Sequence, residues 1–409
     1  MTTLGRYQKT LEHWGLRNIP FRTAPPEDVE TLARIFYGRK QELELALPTL
    51  YEGRNILVRG IWGVGKTAFI RYLLYRLQNE SATLELPLLI LYLGRFPGEG
   101  PEAFYRALLL TLAEEMAAHL PRAQRVKESL RGLQITRSRQ ARVEGKVDLR
   151  LISLGGSWGE EHKEGWHFQN VYPVMLDLLQ AAQTRYERVL IAVDDLDKKT
   201  PRAFQDILDD ATDLLRGGEG KRGFLLTGRF LSTLQDTSDL MLGLFGETIT
   251  LHRMSTDDLQ HVAVNYLNTV RQRPSGQFTP FTSKVLAQIA EYAYHIPRQF
   301  NLICERVMRR GAMEGVACID EQSFPDLWRQ VQDSFALELT PDIRHLLYVA
   351  QRKGGLSADA AYETLEELGV ETFVELLPIL KQVEGDLMIR QEDGKWVPSR
   401  LLPDNLSPD

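Results

Sequence analysis

The 409-residue sequence has only two cysteines, Cys304 and Cys318, and they lack the spacing of metal ligands. They fit a reducing interior in which a buried thiol packs as a small hydrophobe, so we expect a cytoplasmic protein. No apolar run reaches the length of a membrane span, and the first ten residues lack the apolar core of a signal peptide. We therefore expect no membrane partner.

An overall excess of positive charge is also missing. The net charge of −6 argues against general affinity for polyanions. The charge is nevertheless uneven, because residues 121–150 contain nine Lys or Arg and three acids, whereas residues 336–409 contain seven basic and fourteen acidic residues. The basic segment, with Arg137, Arg139 and Arg142, is either a solvated surface or a site for DNA.

A glycine-rich stretch at residues 60–67 carries the strongest chemical signal in the sequence. The apolar run Ile56–Val58 precedes the spacing G-x-x-x-x-G-K-T, and a helical pattern follows. In such a loop, backbone N–H groups turn toward a phosphate, and the start of the helix adds partial positive charge. We expect Lys66 to reach the β- and γ-phosphates and the Thr67 hydroxyl to help hold Mg²⁺; a glycine-rich turn without a ligand is the alternative. The predicted nucleotide-binding residues of this loop are Gly60, Trp62, Gly63, Val64, Gly65, Lys66, Thr67 and Ala68.

A second site is predicted where the apolar run Val189–Val193 ends in Asp194 and Asp195. Such a run is typical of a central parallel strand whose carboxyl end faces a ligand. Asp194 is expected to bind Mg²⁺, directly or through water, and Asp195 to orient or deprotonate the attacking water. A buried strand that merely ends in an acid is the alternative.

Another strand, Phe224–Leu226, runs into Thr227 and Arg229. We expect both residues at the same sheet edge, near the γ-phosphate, unless they only form a turn. With Leu88–Leu93 and Glu247–Leu251, the chain has five strands separated by helices, which predicts an α/β fold with a parallel sheet and right-handed crossovers.

The region after residue 252 has a different, helical composition. Ser255 and Asp258 form a capping box, and Asp320 is predicted to cap a later helix. Arg298 follows Pro297 at a predicted helix start and is expected to place a positive charge on the phosphates when this unit closes; a surface arginine is the alternative.

Three amphipathic helices followed by a hairpin predict a winged-helix domain at the carboxyl end of the sequence. The first residues are predicted to be a turn-rich entry with aromatic anchors, which either covers the nucleotide base or is only structural. The predicted domains are a lead-in at 1–48, a P-loop core at 49–252 with a basic or β insertion at about 121–160, a helical lid at 253–335, a winged helix at 336–402 and a tail at 403–409.

Together these segments resemble the STAND and initiator-type branches of the AAA+ ATPases. Gly38 and Arg39 look like the Gly-Arg lead-in that covers adenine in those families, Gly60–Thr67 is similar to Walker A, and Val189–Asp195 is similar to a double-Asp Walker B. The resemblance implies a five-stranded parallel sheet sandwiched by helices, a helical lid and a winged helix. It also implies ATP or ADP and Mg²⁺ as cofactors.

The same resemblance assigns two sensor motifs. Thr227 and Arg229 look like sensor 1, and Pro297 and Arg298 look like sensor 2. The implied catalytic set is therefore Lys66, Asp195, Arg229 and Arg298.

The sequence departs from these families at several positions. Tyr294 or His295 stands where the lid motif usually has glycine, and Asp195 is one methylene shorter than the glutamate of standard AAA+ enzymes. Slow hydrolysis is therefore expected. An arginine finger is left unassigned, and its candidates are Arg216, Lys221 and Arg222.

Three functions remain open at this point. The favoured one is a slow ATPase switch whose nucleotide state rearranges core, lid and winged helix for a protein partner, with a homo-oligomer as an option. The second is a DNA-associated AAA+ ATPase of the initiator or transposition-regulator type that uses the basic insertion. The third is a scaffold that binds nucleotide without hydrolysing it.

Overall fold

The computed structural model describes residues 2–94, 100–130, 168–196, 201–216, 220–228, 243–391, 393–403 and 406. The chain divides into two compact units. The first unit comprises Met1–Arg39, Gly60–Ala68 and Leu251–Asp409, and the second comprises Lys40–Arg59 and Phe69–Thr250. The glycine-rich loop therefore belongs to the first unit, although the strand before it belongs to the second.

The secondary structure of the described residues is mainly helical. The helices are α1 Thr3–His13, α2 Val29–Ile35, α3 Lys40–Tyr51, α4 Lys66–Thr83, α5 Gly100–Met116, α6 Phe168–Arg185, α7 Pro201–Asp210, α8 Thr212–Arg216, α9 Thr256–Val270, α10 Ser283–Tyr292, α11 Pro297–Glu314, α12 Phe324–Leu337, α13 Pro341–Arg352, α14 Tyr362–Glu367 and α15 Phe373–Val383. The strands are β1 Ile56–Arg59, β2 Leu88–Leu93, β3 Arg188–Val193, β4 Arg222–Thr227, β5 Glu247–Thr250, β6 Met388–Arg390 and β7 Trp396–Pro398. Within these ranges, no helix combines the length and apolarity needed to cross a membrane.

The second unit is built on a five-stranded sheet with the order β2-β3-β4-β1-β5. All neighbouring strands run parallel. The middle strand, β4, separates β1, which leads into the glycine-rich loop, from β3, which leads into Asp194. Val58 is paired with Thr227, and Val193 with Leu226, so the carboxyl ends of these three strands share one edge. The predicted α/β parallel sheet is confirmed.

The core of this unit explains why its strands are continuously apolar. β3 and β4 are buried along nearly their whole length, which requires cover on both faces of the sheet. Helices α5, α6 and α7 contribute Tyr105, Met175 and Ile207 to the same hydrophobic cluster as the strands.

A buried amide just before β1 links helix α8, strand β4 and the segment before β5. Asn55 is 6% exposed. Its Nδ2 donates to the carbonyls of Leu215 and Leu244, both at 2.9 Å, and its Oδ1 accepts from the N–H of Phe224 at 2.9 Å. The side chain therefore satisfies three backbone groups that water does not reach.

The variant Asn55→Ala is expected to lower the free energy of unfolding by about 2 kcal/mol, because it leaves buried backbone groups without partners. Chemical denaturation of the nucleotide-free protein measures this. Asn79→Ala, on helix α4, is the control because Asn79 is exposed, and it should be nearly neutral. Equal midpoints for the two variants would contradict the assigned role of Asn55.

The first unit contains the helices α9 to α12 and the amino-terminal segment. Ser255 accepts a hydrogen bond from the N–H of Asp258 at 3.1 Å, as the capping pattern predicts for α9. The predicted cap at Asp320 is wrong by three residues: α12 begins after Ser323, because Asp320 Oδ1 instead accepts from the Ser323 N–H at 2.9 Å in the preceding turn. The predicted turn-rich entry also contains α1 and α2, and Trp14, at the end of α1, donates to the Val316 carbonyl at 3.1 Å.

The carboxyl-terminal part of the same unit has the winged-helix arrangement. Helices α13, α14 and α15 precede the antiparallel pair β6–β7, in which Ile389 pairs with Val397. Leu347, Leu380 and Trp396 are buried in its hydrophobic cluster. The domain boundaries drawn from the sequence, including the insertion at about 121–160, stay predictions; residues 131–160 lie outside the described residues.

Candidate functional site

At two positions of the glycine-rich loop, the backbone has a conformation that only glycine adopts without strain. Gly63 and Gly65 have φ angles of +81° and +101°. A Cβ on Gly63 would lie 3.0 Å from side-chain atoms of Ile296 and Arg298, whereas a Cβ on Gly65 would meet nothing within 4 Å among the described residues. The loop is thus packed on the helical lid at Gly63 and open at Gly65. An open backbone at this point fits a loop that lets a phosphate approach closely.

Lys66, the first residue of α4, folds its ammonium group back over the loop. Its Nζ donates to the carbonyl of Gly60 at 2.8 Å and to that of Ile61 at 3.3 Å. The ammonium group therefore stabilises the conformation of the loop, and it is the same group that is expected to bind a phosphate. Thr67 and Ala68 follow in the first turn of the helix.

The loop also caps the helix that carries Arg298. Pro297 is in the first turn of α11, and no side chain of the described part of the chain caps this helix. The N–H of Arg298, one of the donors that a helix start leaves unpaired, instead donates to the Gly63 carbonyl at 3.2 Å. The two residues at the usual glycine place, Tyr294 and His295, have φ angles of +52° and +58°, so the glycine-like turn is kept at an energetic cost.

The side chain of Arg298 lies between the loop and the winged helix. Its guanidinium carbon is 5.7 Å from the ring centre of Trp62, and its Nη2 is 3.5 Å from Oδ1 of Asp386. Gly385 lies so close to the same tryptophan that a Cβ there would clash with Cδ1 and Nε1 of the indole ring. Gln299 Nε2 donates to the Gly385 carbonyl. The winged helix therefore rests on the loop through the turn at Gly385 and Asp386.

The lead-in segment contacts this loop as well. Gly38 and Arg39 have φ angles of +75° and +60°, and the Arg39 guanidinium donates to the carbonyls of Val64, at 3.4 Å, and His252. Beside them, Tyr37 stacks on His261 with ring centres 4.4 Å apart. Whether these residues cover a base stays a prediction.

In the second unit, Asp194 lies at the carboxyl end of β3 and is 3% exposed. Its Oδ1 accepts from the Thr227 hydroxyl and from the Asp195 N–H, each at 2.8 Å. Its Oδ2 accepts from the Tyr92 hydroxyl at 3.0 Å. Burial, followed by the charge of Asp194, raises the pKa of Tyr92 far above its usual value, so the phenol remains protonated and donates.

The structure describes Asp195 and Thr227 but not Arg229, and the roles predicted for all three stay predictions. Asp195 is partly buried and has a φ of +60°, a conformation that Asp tolerates better than most residues. Arg229, the predicted sensor 1 arginine, lies outside the described residues. Thr227, two positions earlier, is fully buried, and its hydroxyl donates to Asp194.

The candidates for an arginine finger are not equivalent. Arg222 is 8% exposed, donates to the Leu214 carbonyl at 2.6 Å and has a pKa lowered by burial. Its guanidinium is therefore held inside the second unit, and the choice of an arginine finger among the three candidates stays a prediction. Arg216 and Lys221 are exposed.

Several contacts were not foreseen from the sequence. Tyr92, Gly385 and Asp386 carry no motif, and their partners are far away along the chain; Tyr92 and Asp194, for example, are 102 positions apart. The only signal that would have marked Tyr92 is its place in β2, whose end is expected at the same edge as Asp194.

The carboxylate of Asp194 is chemically suited to Mg²⁺, which prefers oxygen ligands. Among the described residues, no three or more His, Cys, Asp or Glu side chains cluster as a metal cage. Mg²⁺ usually takes only one or two protein carboxylates and completes its shell with water and phosphate oxygens, so no cage is needed. Asp194, with its carboxylate fixed by three donors, is suited to such a role.

The sequence between residues 45 and 214 matches the KAP family P-loop domain. This range covers fewer than half of the residues and spans the glycine-rich loop and both aspartates. A search of curated proteins found none that matches.

Solved structures resemble the chain over most of its length. The Aeropyrum pernix ORC1 protein in complex with DNA is 15% identical, with a TM-score of 0.50 over 91% of this chain and 93% of that one. The fold is that of an AAA+ P-loop ATPase. The Aeropyrum pernix ORC2 protein (14% identity, 96% and 94% coverage, TM-score 0.44) and the Thermotoga maritima RuvB Holliday junction branch migration motor (16%, 93% and 97%, TM-score 0.41) are also similar.

Proposed function

We propose that this protein is a slow, ATP-driven AAA+ switch whose nucleotide state controls the winged helix for a protein partner. One observation supports this most directly: the arginine expected to meet the phosphates, Arg298, is 3.5 Å from Asp386 of the winged helix. A γ-phosphate and Asp386 would compete for the same guanidinium. Binding energy at the phosphate is thereby linked to release of the winged helix.

Nucleotide would be held by residues of the glycine-rich loop. Lys66 would exchange the Gly60 carbonyl for phosphate oxygens, and the open backbone at Gly65 would approach the phosphates. Thr67 and Asp194 are the residues we propose for Mg²⁺, which neutralises charge on the β- and γ-phosphates when it is bound. Adenine as the base is inherited from the resemblance to AAA+ ATPases.

Asp195 is the residue we propose for the attacking water. Its side chain is shorter than glutamate, which favours slow hydrolysis that resets the switch. A single-turnover assay separates this proposal from a scaffold that only retains nucleotide. Release of phosphate within minutes to hours supports the ATPase; retained, intact ATP over many hours supports the scaffold.

The most informative experiment is to measure the nucleotide content and the mass of the purified protein. It is done without added nucleotide, with ADP and with a non-hydrolysable ATP analogue. A change of mass or shape between ADP and the analogue supports the switch, and a change of mass also reports a homo-oligomer. Identical behaviour in all three conditions would contradict the proposal.

The Asp386→Asn variant tests the competition for Arg298. Both side chains are partly exposed (29% for Arg298 and 52% for Asp386), so the pair contributes at most about 1 kcal/mol. We therefore expect the affinity for the ATP analogue to rise by about two- to fivefold, since binding no longer has to break the pair. Asp359→Asn, an exposed acid elsewhere in the winged helix, is the matched control.

An unchanged or weaker affinity of Asp386→Asn would contradict the competition. The measurement is a titration of a fluorescent ATP analogue at two salt concentrations. The difference between the variants should shrink at high salt, because the exposed ion pair is screened.

A DNA-associated ATPase is the second candidate, since the ORC1 protein that shares the fold was solved with DNA. Arg122, in the described part of the basic segment, is already paired with Asp177 at 3.0 Å. Neutralising Arg137, Arg139 and Arg142, which lie outside the described residues, tests the rest. If they contact DNA phosphates, the slope of log affinity against log salt falls by roughly 2 to 3.

A further inference from the structure

A tyrosine on the neighbouring strand holds one oxygen of the Asp194 carboxylate. Tyr92 is the fifth residue of β2, and its hydroxyl donates to Oδ2 of Asp194 at 3.0 Å. We propose that Tyr92 is a positioning residue for the Mg²⁺ site, which fixes the direction in which Asp194 presents its remaining lone pair. This assignment rests on the proposed binding of Mg²⁺ and nucleotide.

The hydrogen bonds of Asp194 limit where a metal can bind. A carboxylate has about four acceptor positions. Thr227 and the N–H of Asp195 occupy positions on Oδ1, and Tyr92 occupies one on Oδ2. These bonds leave one acceptor position on Oδ2, the oxygen that Tyr92 holds, and Asp194 would offer this position to Mg²⁺ or to one of its waters. Without the phenol, Oδ2 loses its donor, and only the two hydrogen bonds to Oδ1 still restrain the last torsion of the carboxylate.

The surroundings of Tyr92 keep its hydroxyl in this place. Gly94 lies against the ring, and a Cβ there would be 3.0 Å from Cε1 of Tyr92 and 3.5 Å from its Oη. A side chain at position 94 would therefore push on the ring that carries this hydroxyl.

The Tyr92→Phe variant removes only the hydroxyl. Groups that orient a metal ligand typically change metal affinity by about 10- to 100-fold. The quantity to measure is the ratio of the dissociation constants of a fluorescent ATP analogue in EDTA and in Mg²⁺. We expect this ratio to fall about tenfold in Tyr92→Phe, while the constant in EDTA stays unchanged. A merely structural role would change both constants together.

Tyr105→Phe is the matched control. Tyr105 is buried in the same unit, and its hydroxyl donates to the Asp210 carbonyl at 3.1 Å rather than to Asp194. It should leave the ratio as in the wild type. Gly94→Ala is the second variant, since its methyl group would press on the Tyr92 ring while the phenol is kept, and it should change the ratio in the same direction as Tyr92→Phe.

Each outcome decides a separate question. A folded Tyr92→Phe with the wild-type ratio overturns the assignment, and if that variant does not fold, a wild-type ratio in Gly94→Ala overturns it. Nucleotide binding that is absent from the wild-type protein overturns the proposed function and this assignment together. Wild-type binding that depends on Mg²⁺ supports the proposed function whatever the tyrosine variants do.

Discussion

Replacing Lys66 with alanine is expected to weaken ATP binding by about 100-fold or more, because the loop loses the ammonium group that would donate to the phosphates. In the structure, Nζ of Lys66 lies 2.8 Å from the Gly60 carbonyl and 3.3 Å from the Ile61 carbonyl. The variant removes both bonds as well as the charge. The loop therefore loses one ammonium group with two roles, because it stabilises the loop conformation and would neutralise charge on the nucleotide.

Titration with a fluorescent ATP analogue measures this effect. Lys284→Ala is the control because Lys284 is an exposed lysine near the start of α10, outside the loop. Lys66→Arg is informative as well, since a planar guanidinium keeps the charge but not the compact shape of the ammonium group. Full-strength ATP binding by Lys66→Ala would reject the glycine-rich loop as the nucleotide site.

Local patterns were sufficient to predict the sheet and the loop. The spacing of glycines and Lys66 depends on backbone conformations that few other residues adopt, and an apolar run that ends in Asp194 needs a covered parallel strand. The cap at Ser255 also depends on neighbours along the chain, and its hydrogen bond to Asp258 is present. In each case the physical cause lies within a few residues.

Contacts between distant residues were not predictable in this way. Asp386 meets Arg298 only because the winged helix packs on the loop, and no periodicity of either segment specifies that pair. The burial of Arg222 was not predictable either. A charged residue at the start of a strand is usually exposed, yet the Arg222 guanidinium donates to the Leu214 carbonyl inside the unit.

The variant Asp194→Asn is expected to abolish the Mg²⁺ dependence of nucleotide binding and to lower ATP hydrolysis by about 100-fold or more. The amide keeps the shape of the carboxylate and one of its acceptors. Thr227 and the N–H of Asp195 can still donate to that oxygen, and the Tyr92 hydroxyl can turn to accept from the new NH₂ group. The fold is therefore retained while the negative charge is lost.

Comparison with Asp195→Asn separates the two acids. Asn tolerates the left-handed backbone of position 195, so this variant should keep Mg²⁺-dependent binding and lose only hydrolysis. Asp209→Asn, an exposed acid on α7, is the control for both. If Asp194→Asn retains the wild-type response to Mg²⁺, the metal is held elsewhere. The hydrogen bonds from Tyr92 and Thr227 to Asp194 would then serve only to join β2 and β4 to the carboxyl end of β3.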